Sequence, residues 1–433
     1  MSKAIIHAKL YDFHQFIDDA YVIFDERIID FGPMQDFENR GYELIDGKNH
    51  IIMPSLISGH THIYSTFARG ISLAFNPKNF QEILDQLWWK IDGHLNNEMI
   101  YYSGIVSAVD MIKNGITTII DHHASGIDIE GSLEALKSAV CDEASLRGCF
   151  AFETSDRFDV DTAIKENIQF LNTYKSDKTR GMFGLHASLS LSDKTLNKVK
   201  NHLGDYPIHI HVAESKLDQE DSLKKYKKRV IERLDDFDLL NRNSILTHAL
   251  YVDDDELRRI KKRECVIAVN ISSNMNNGVG LPPVKRFLDF NIPVIIGNDG
   301  ISSSMTTEYL ALYYAMHLKD QSPVPFGLDD LLEIIKSTYQ YASECFNVSL
   351  GKIQKDYQAD LLLIPYNPPT PLNASNAFGH LFFGLFNSFK PKHVFVDGDY
   401  VLKNYKVSET LETQYNKASH FAEILWKNIE KEA

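Results

Sequence analysis

The sequence is poor in cysteine. Its four thiols, Cys141, Cys149, Cys265 and Cys345, are scattered with no C-x-x-C spacing. That pattern offers no disulfide framework and no zinc ribbon, and fits free thiols in a reducing cytoplasm. Long apolar runs are missing too: no stretch of roughly 18 uninterrupted apolar residues occurs, so no spanning helix is expected. Positive charge is in deficit. Lys and Arg number 45 against 59 Asp and Glu, a formal net charge of −14, and neither nucleic acid nor an anionic membrane rewards that balance. The opening MSKAIIHAKLYD has no basic segment followed by an apolar one, so no secretory signal is expected and a cytoplasmic protein is. Low-complexity segments and solenoid-length repeats are absent as well. What is there is a globular composition, 44% hydrophobic and 24% charged over 433 residues. Such a chain can form one large α/β barrel with a small companion.

Short β elements gather at both chain ends. Residues 4–10 read as a strand, and 21–24 and 27–31 flank Asp25-Glu26 like a hairpin. Near the other end, 359–364 reads as a strand, and 392–396 and 400–403 flank Asp397-Gly398-Asp399. A small β-sandwich domain built from both termini is therefore expected, 1–53 plus 353–433, carrying a C-terminal helix at 409–431. Between them, Val- and Ile-rich runs recur near 51–57, 116–121, 148–153, 182–187, 207–213, 244–249, 265–271 and 292–298. Segments of helical period separate them, at 98–114, 132–147, 161–175, 192–203 and 253–263, and 305–346 is mostly helical. Eight buried-type strands alternating with helices over 54–352 predict a (β/α)8 TIM-type barrel, although alternation alone also suits a doubly wound sheet.

The placement of polar residues decides between them. In a barrel, chemistry sits where the strands end and eight loops converge. Reading only those ends gives His60 and His62, His122 and His123, His186, then His209, His211 and Glu214, and finally His248 and Asp299. In Gly-His-Thr-His, His60 and His62 are two apart, so on an extended chain both imidazoles project to one side. By itself such a pair is as readily two histidines on a polar loop; it gains weight from the downstream ends. His211 and Glu214, in HVAE, add a nitrogen and a carboxylate, although Glu214 alone also reads as a solvated loop acid. His209 lies one pleat deeper and reads as a packed interior residue. His248 closes strand six in ILTHA. Asp299, in VIIGNDG, ends a buried run where an unpaired carboxylate is costly, and a metal accounts for it simply. Three histidines and a carboxylate suit one divalent ion: zinc, with ferrous iron and manganese also fitting. A two-metal site usually wants a bridging lysine at strand four, which here ends Leu185-His186-Ala187-Ser188.

Together, PSLISGHTH, HVAE, LTHA and IGNDG resemble the amidohydrolase superfamily, in its cytosine-deaminase-like and chlorohydrolase-like branch. The resemblance spans nearly the whole chain, including GKIQKDYQADLLL on the return to the terminal β domain. HTHIYSTFARG, LDQLWWKID, TTIIDHHASG, GLHASLSLSD and SSNMNNGVGLPPV look most like the SsnA-type aminohydrolases. The resemblance implies that His60, His62, His211 and Asp299 are metal ligands. It makes Glu214 the proton shuttle to a substrate ring nitrogen and His248 the group that orients water or polarises the scissile carbon. Asp299 would also take the proton of the attacking water. Two positions depart from the pattern: Ser55 replaces a usual glycine and Asn298 a usual threonine.

The implied reaction is hydrolysis of a non-peptide carbon–nitrogen bond, deaminating an amino-substituted heterocycle such as a purine, pterin or pyrimidine. Dechlorination, formimino or cyclic-amide hydrolysis at the same site, and an inactive metal-binding scaffold, are the alternatives. Candidates for the substrate wall are Phe67, Arg69, Trp88, Trp89, His122, His123, His186 and Ser303. The tryptophans read equally as helix core, with at most one capping the site, and Arg69 equally as a salt-bridge partner. One of His122 and His123 is expected to enter the mouth and the other to pack outward. The partner is a small molecule, and a homo-oligomer is compatible with a barrel of this size.

Overall fold

The structure is a computed structural model that describes residues 2–432. Both termini contribute to one sheet. β1 (Lys3–Tyr11) and β2 (Phe16–Phe24) form a hairpin, followed by β3 (Ile28–Pro33), β4 (Glu43–Asp46) and β5 (His50–Pro54). The Asp12 carboxylate closes that hairpin by accepting from the backbone N–H groups of His14 and Gln15, at 3.0 and 2.8 Å. It also accepts from Ile353 N–H at 2.9 Å, which ties the first hairpin to the chain's return.

The central segment supplies the eight predicted staves. They are β6 (Leu56–Thr61), β7 (Ile116–His123), β8 (Arg147–Phe152), the pair β9 (Thr179–Gly181) and β10 (Phe183–Ala187), β11 (Ile208–Val212), β12 (Ile245–His248), β13 (Val266–Val269) and β14 (Val294–Ile296). All pair in parallel, in two arcs, β6-β7-β8-β9 and β10-β11-β12-β13-β14. Single bridges, Thr154 to Leu185 and Thr61 to Asp299, link the arcs. Staves covered on both sides explain the unbroken apolar runs, as parallel sheets require. The predicted strand 51–57 is in fact two strands. Pro54 has no N–H to carry the ladder on, so His50–Pro54 stays in the terminal sheet and the barrel begins at Leu56.

β15 (Leu361–Pro365), β16 (His393–Val396) and β17 (Asp399–Lys403) complete the terminal sheet in the order β17-β16-β15-β5-β1-β2-β3, with β4 beside β1. It folds over on itself as a sandwich. Phe24 of β2 meets Phe395 of β16 edge-on at 5.2 Å, within a core that includes Leu10, Val22, Ile52, Leu361 and Leu363. Arg147, at the start of β8 and fully buried, reaches Asp360 and Asp397 of this domain. The C-terminal helix Glu409–Glu432, expected with the terminal β domain, lies against the barrel instead. Its Phe421 stacks on Tyr102 of the helix Asn97–Lys113 at 4.1 Å, and Trp426 donates to the Phe67 carbonyl at 2.7 Å. Among the described residues, no helix is long and apolar enough to cross a membrane.

Candidate active site

The carboxyl ends of the staves open into a cavity lined by His62, His186, His211, Glu214, His248 and Asp299 among others. Two glycines let β6 and β14 close at its base. A methyl group on Gly297 would stand 2.4 Å from the His60 carbonyl and 2.5 Å from Asn270 Oδ1, and one on Gly59 would stand 2.9 Å from the Ile296 carbonyl. The Asn298 side chain, at the second departure from the family pattern, accepts from Ser58 Oγ at 2.5 Å and donates to the Ser302 carbonyl. Ser55 pairs with Thr117 through their hydroxyls at 2.5 Å.

The imidazoles of His60 and His62 meet Asp299, and that of His211 faces His62. His62 Nδ1 lies 2.6 Å from the His122 carbonyl and His211 Nδ1 lies 3.1 Å from the His186 carbonyl. A carbonyl only accepts, so both Nδ1 atoms carry protons, and each ring in its neutral form presents a bare Nε2. Those two Nε2 atoms face each other at 3.1 Å. His60 Nδ1 is engaged by His209 Nε2 at 2.9 Å, while His60 Nε2, fully buried, has no hydrogen-bond partner. Asp299 Oδ1 lies 3.1 Å from His62 Nε2 and 3.6 Å from His60 Nε2. Facing lone pairs beside an orphaned nitrogen and a carboxylate are unfavourable unless a cation lies between them. Donor atoms about 2.0–2.1 Å from one tetrahedral ion stand about 3.3 Å apart, and the observed separations straddle that value. The donor set fits a divalent metal.

The field agrees. Burial opposes a charge on His62, yet its hydrogen bond to Asp299 and the carboxylates of Asp299, Glu153 and Asp121 outweigh this and lift the ring to about 10. Burial alone pulls in the opposite direction at Asp299, where the adjacent His60 and His62 imidazoles hold the carboxylate well below its ordinary range. A positive charge is wanted between them.

Above this cluster, His248 Nδ1 lies 3.0 Å from the Asn274 amide nitrogen. An amide nitrogen donates, so the ring's proton is on Nε2, which points at Glu214 Oε2 (3.5 Å) and Asp299 Oδ2 (3.6 Å). Burial lowers His248 to about 3 and keeps it neutral. Burial, reinforced by Asp299, raises Glu214 well above the usual carboxylate range. Ala213, His248 and Asp299 all take left-handed backbone, at φ 46°, 75° and 52°, a conformation that clusters at functional sites.

Of the eight wall candidates, Trp88, Trp89 and His186 line the cavity. Both tryptophans do so, although adjacent helical residues diverge. The segment 80–93 crosses the mouth with Phe80, Leu84, Trp88 and Asp92 on its inner stripe, and Trp89 reaches the wall beside it, edge-on to His186 at 6.3 Å. The other five do not line it. Phe67 is buried in the core. Arg69 is exposed and pairs with Asp110 at 2.9 Å. Ser303 is half-buried in the loop before the helix Met305–Asp320. Neither of the paired histidines enters the mouth: His122 stacks on His209 at 4.4 Å beneath the cluster, and His123 packs outward against Tyr64 and Phe152. Sequence reasoning missed Glu153, which follows β8 and borders the cavity. It ends the apolar run 148–153, the kind of position that gave the other candidates. Burial raises its carboxyl to about 8.

A (β/α)8 barrel whose strand ends gather histidines and carboxylates in one cavity, with a β domain built from both termini, is the architecture of a metal-dependent hydrolase. The chain belongs to the Amidohydrolase family, whose sequence profile matches residues 51–401. Relatives include a 5′-deoxyadenosine deaminase of Methanocaldococcus jannaschii, 27% identical over 419 residues, covering 92% of this chain and 94% of that one. A 5-methylthioadenosine/S-adenosylhomocysteine deaminase of Thermococcus sibiricus is 25% identical, covering 85% and 86%. Among solved structures, an adenosine deaminase from Xanthomonas campestris with bound zinc superposes with a TM-score of 0.83 at 17% identity, covering 98% of each chain. Atrazine chlorohydrolase of Arthrobacter aurescens TC1 with zinc gives 0.81 at 19%, covering 97% and 99%.

Proposed function

We propose that this enzyme hydrolyses the exocyclic amine of a purine-, pterin- or pyrimidine-like heterocycle, releasing ammonia, with zinc as its ion. The observation that carries the reading is His62 Nε2 facing both His211 Nε2 and Asp299 Oδ1, with the unpartnered His60 Nε2 beside them and the half-buried Glu214 across His248 from Asp299. His60, His62, His211 and Asp299 would hold the ion, which when bound supplies Lewis acidity and a water acidified towards about pKa 7. Asp299 Oδ2 accepts the proton released by the attacking water and returns it to the departing amine. Glu214 donates its proton to the ring nitrogen beside the attacked carbon, which makes that carbon electron-poor, and takes back the added hydroxyl's proton as the carbonyl forms and ammonia leaves. His248 directs its Nε2–H at the same point and stabilises charge that develops there. Trp88 and Trp89 give flat surfaces against which a ring can lie. The deaminase names of the relatives from M. jannaschii and T. sibiricus support ammonia as the leaving group and an adenine-like ring.

The experiment is an ammonia-release screen of aminopurines, aminopterins and aminopyrimidines on enzyme of measured metal content. Release from at least one class is expected from zinc-loaded enzyme. Chloride release from chlorinated analogues with no ammonia from any amine would overturn the reading.

A further inference from the structure

Glu153 is 2% exposed, yet its carboxyl borders the cavity and receives no hydrogen bond among the described residues. The nearby donors are committed or misaligned. His62 Nδ1, 3.5 Å from Oε1, gives its proton to the His122 carbonyl. His122 Nδ1, 3.3 Å away, makes no hydrogen bond at all. Arg157 spends both amino groups on Asp92, at 3.0 and 2.6 Å. Beside Glu153, His186 can be assigned from its own partners. Ser190 Oγ donates to the Ala187 carbonyl at 3.0 Å, so it accepts from His186 Nδ1–H at 2.7 Å. His186 Nε2 is then a bare acceptor, 3.9 Å from Glu153 Oε2. The Glu153 carboxyl and this bare nitrogen stand side by side on one wall.

The wall is also one-sided in charge. Asp92, Glu153, Glu214, Asp218 and Asp299 line the cavity, and among the described residues no Lys or Arg does. Asp92 is answered by Arg157, and Asp218 by the backbone N–H groups of Leu189 and Ala213. No cation is left over for an anionic substituent.

We infer that Glu153 and His186 are specificity residues that grip two neighbouring N–H or O–H donors of the substrate, and that the substrate carries no phosphate or carboxylate. The inference rests on the deaminase reading for its choice of probes. The donor pair has two sources, a vicinal diol on a ribosyl group or the N–H edge of the ring itself.

The test is steady-state ammonia release by the zinc-loaded enzyme on adenosine, its 2′- and 3′-deoxy analogues, adenine and adenosine 5′-monophosphate. Wild type is compared with Glu153→Gln, His186→Ala and the double variant, zinc content being measured for each. Either single variant is expected to lose about tenfold or more in kcat/KM, mostly through KM, with zinc retained and losses in the double variant well short of multiplicative. The monophosphate is expected to fall about 100-fold below adenosine. If the diol is gripped, the deoxy analogues lose the same factor in wild type and nothing further in Glu153→Gln. If the ring edge is gripped, deoxy analogues match adenosine, and adenine suffers the full penalty in the variant. Unchanged kcat/KM in both single variants, or equal turnover of the monophosphate, overturns the inference. Should no probe release ammonia, the deaminase reading fails. Calorimetric binding of the same probes then decides this one: a tenfold affinity loss in Glu153→Gln supports it, and equal or absent affinity overturns it.

Discussion

Replacing Asn274 with aspartate interrogates the proton map of the site without touching any residue that meets the ion. The Asn274 amide nitrogen, 3.0 Å from His248 Nδ1, leaves the ring's single proton on Nε2, aimed between Glu214 and Asp299. An ionised aspartate of the same size can only accept. It draws the proton to Nδ1 and leaves a bare Nε2 against two carboxyl groups. Asn274→Leu removes the donor and supplies no competing acceptor. Losing one hydrogen bond costs about 0.5–1.5 kcal/mol, so the leucine variant should fall roughly 2- to 13-fold in kcat. Holding a catalytic imidazole in the wrong tautomer has cost on the order of 10⁴ in a serine protease, and the aspartate variant should fall by roughly 10²–10⁴. Both variants should keep their metal. The assay is kcat with zinc content, alongside ¹⁵N chemical shifts that report the His248 tautomer. If Asn274→Asp keeps kcat within about threefold, or outperforms Asn274→Leu, the amide oxygen faces the ring and the assigned tautomer is wrong.

Glu214→Gln should lower kcat by roughly 10²–10⁴ while leaving zinc content unchanged, since general acid–base catalysis contributes about that much; a fully active, zinc-loaded variant would remove Glu214 from the chemistry. His60→Ala should weaken zinc binding by more than the roughly 10–100-fold seen for outer-shell partners. Full zinc occupancy of that variant, measured after dialysis against a chelator, would refute the ligand set. Gly297→Ala should both destabilise the fold by about 1–3 kcal/mol, as overpacking does, and deplete zinc, because the added methyl would meet His60 at 2.4 Å. Normal thermal stability with normal zinc would show that β6 and β14 have slack.

Periodicity carries the barrel because parallel staves are buried on both faces, so their Val- and Ile-rich runs stand out against helical segments. Strand ends carry much of the site for a related reason: His60, His62, His211, His248 and Asp299 are polar residues that terminate apolar runs. What stayed illegible depends on neighbours distant in sequence. Phe67 closely follows Gly-His-Thr-His and His122 lies at the end of β7, yet the C-terminal Trp426 bonds the backbone of the first and His209 stacks on the second. Conversely, Glu153 and Asn274 follow apolar runs in plain view. Their roles emerge only from which donors Arg157 and His62 have already given away, and from which atom of His248 faces Asn274. The split of 51–57 into two strands turns on a single missing N–H at Pro54.

The acidic residues around the mouth divide into two kinds, and the backbone shows why. Ala213, His248 and Asp299 bend their chains into left-handed conformations, each at a cost of about 1–3 kcal/mol, and such bends persist only where surrounding contacts over-determine them. Asp218 supplies those contacts at β11, taking Ala213 N–H at 2.8 Å and Leu189 N–H at 3.1 Å. Asp121 does the same after β6, taking Ile63 N–H at 2.7 Å. Asp92 is occupied with Arg157. These three carboxyl groups are spent on shape, and neutralising any of them should loosen a loop before it alters chemistry. Glu153, Glu214 and Asp299 remain to face the cavity. They lie in three different settings: against bare acceptors, against the Nε2–H of His248, and among the imidazoles. On the proposed reading, one constellation would recognise a donor edge, deliver a proton and hold a cation.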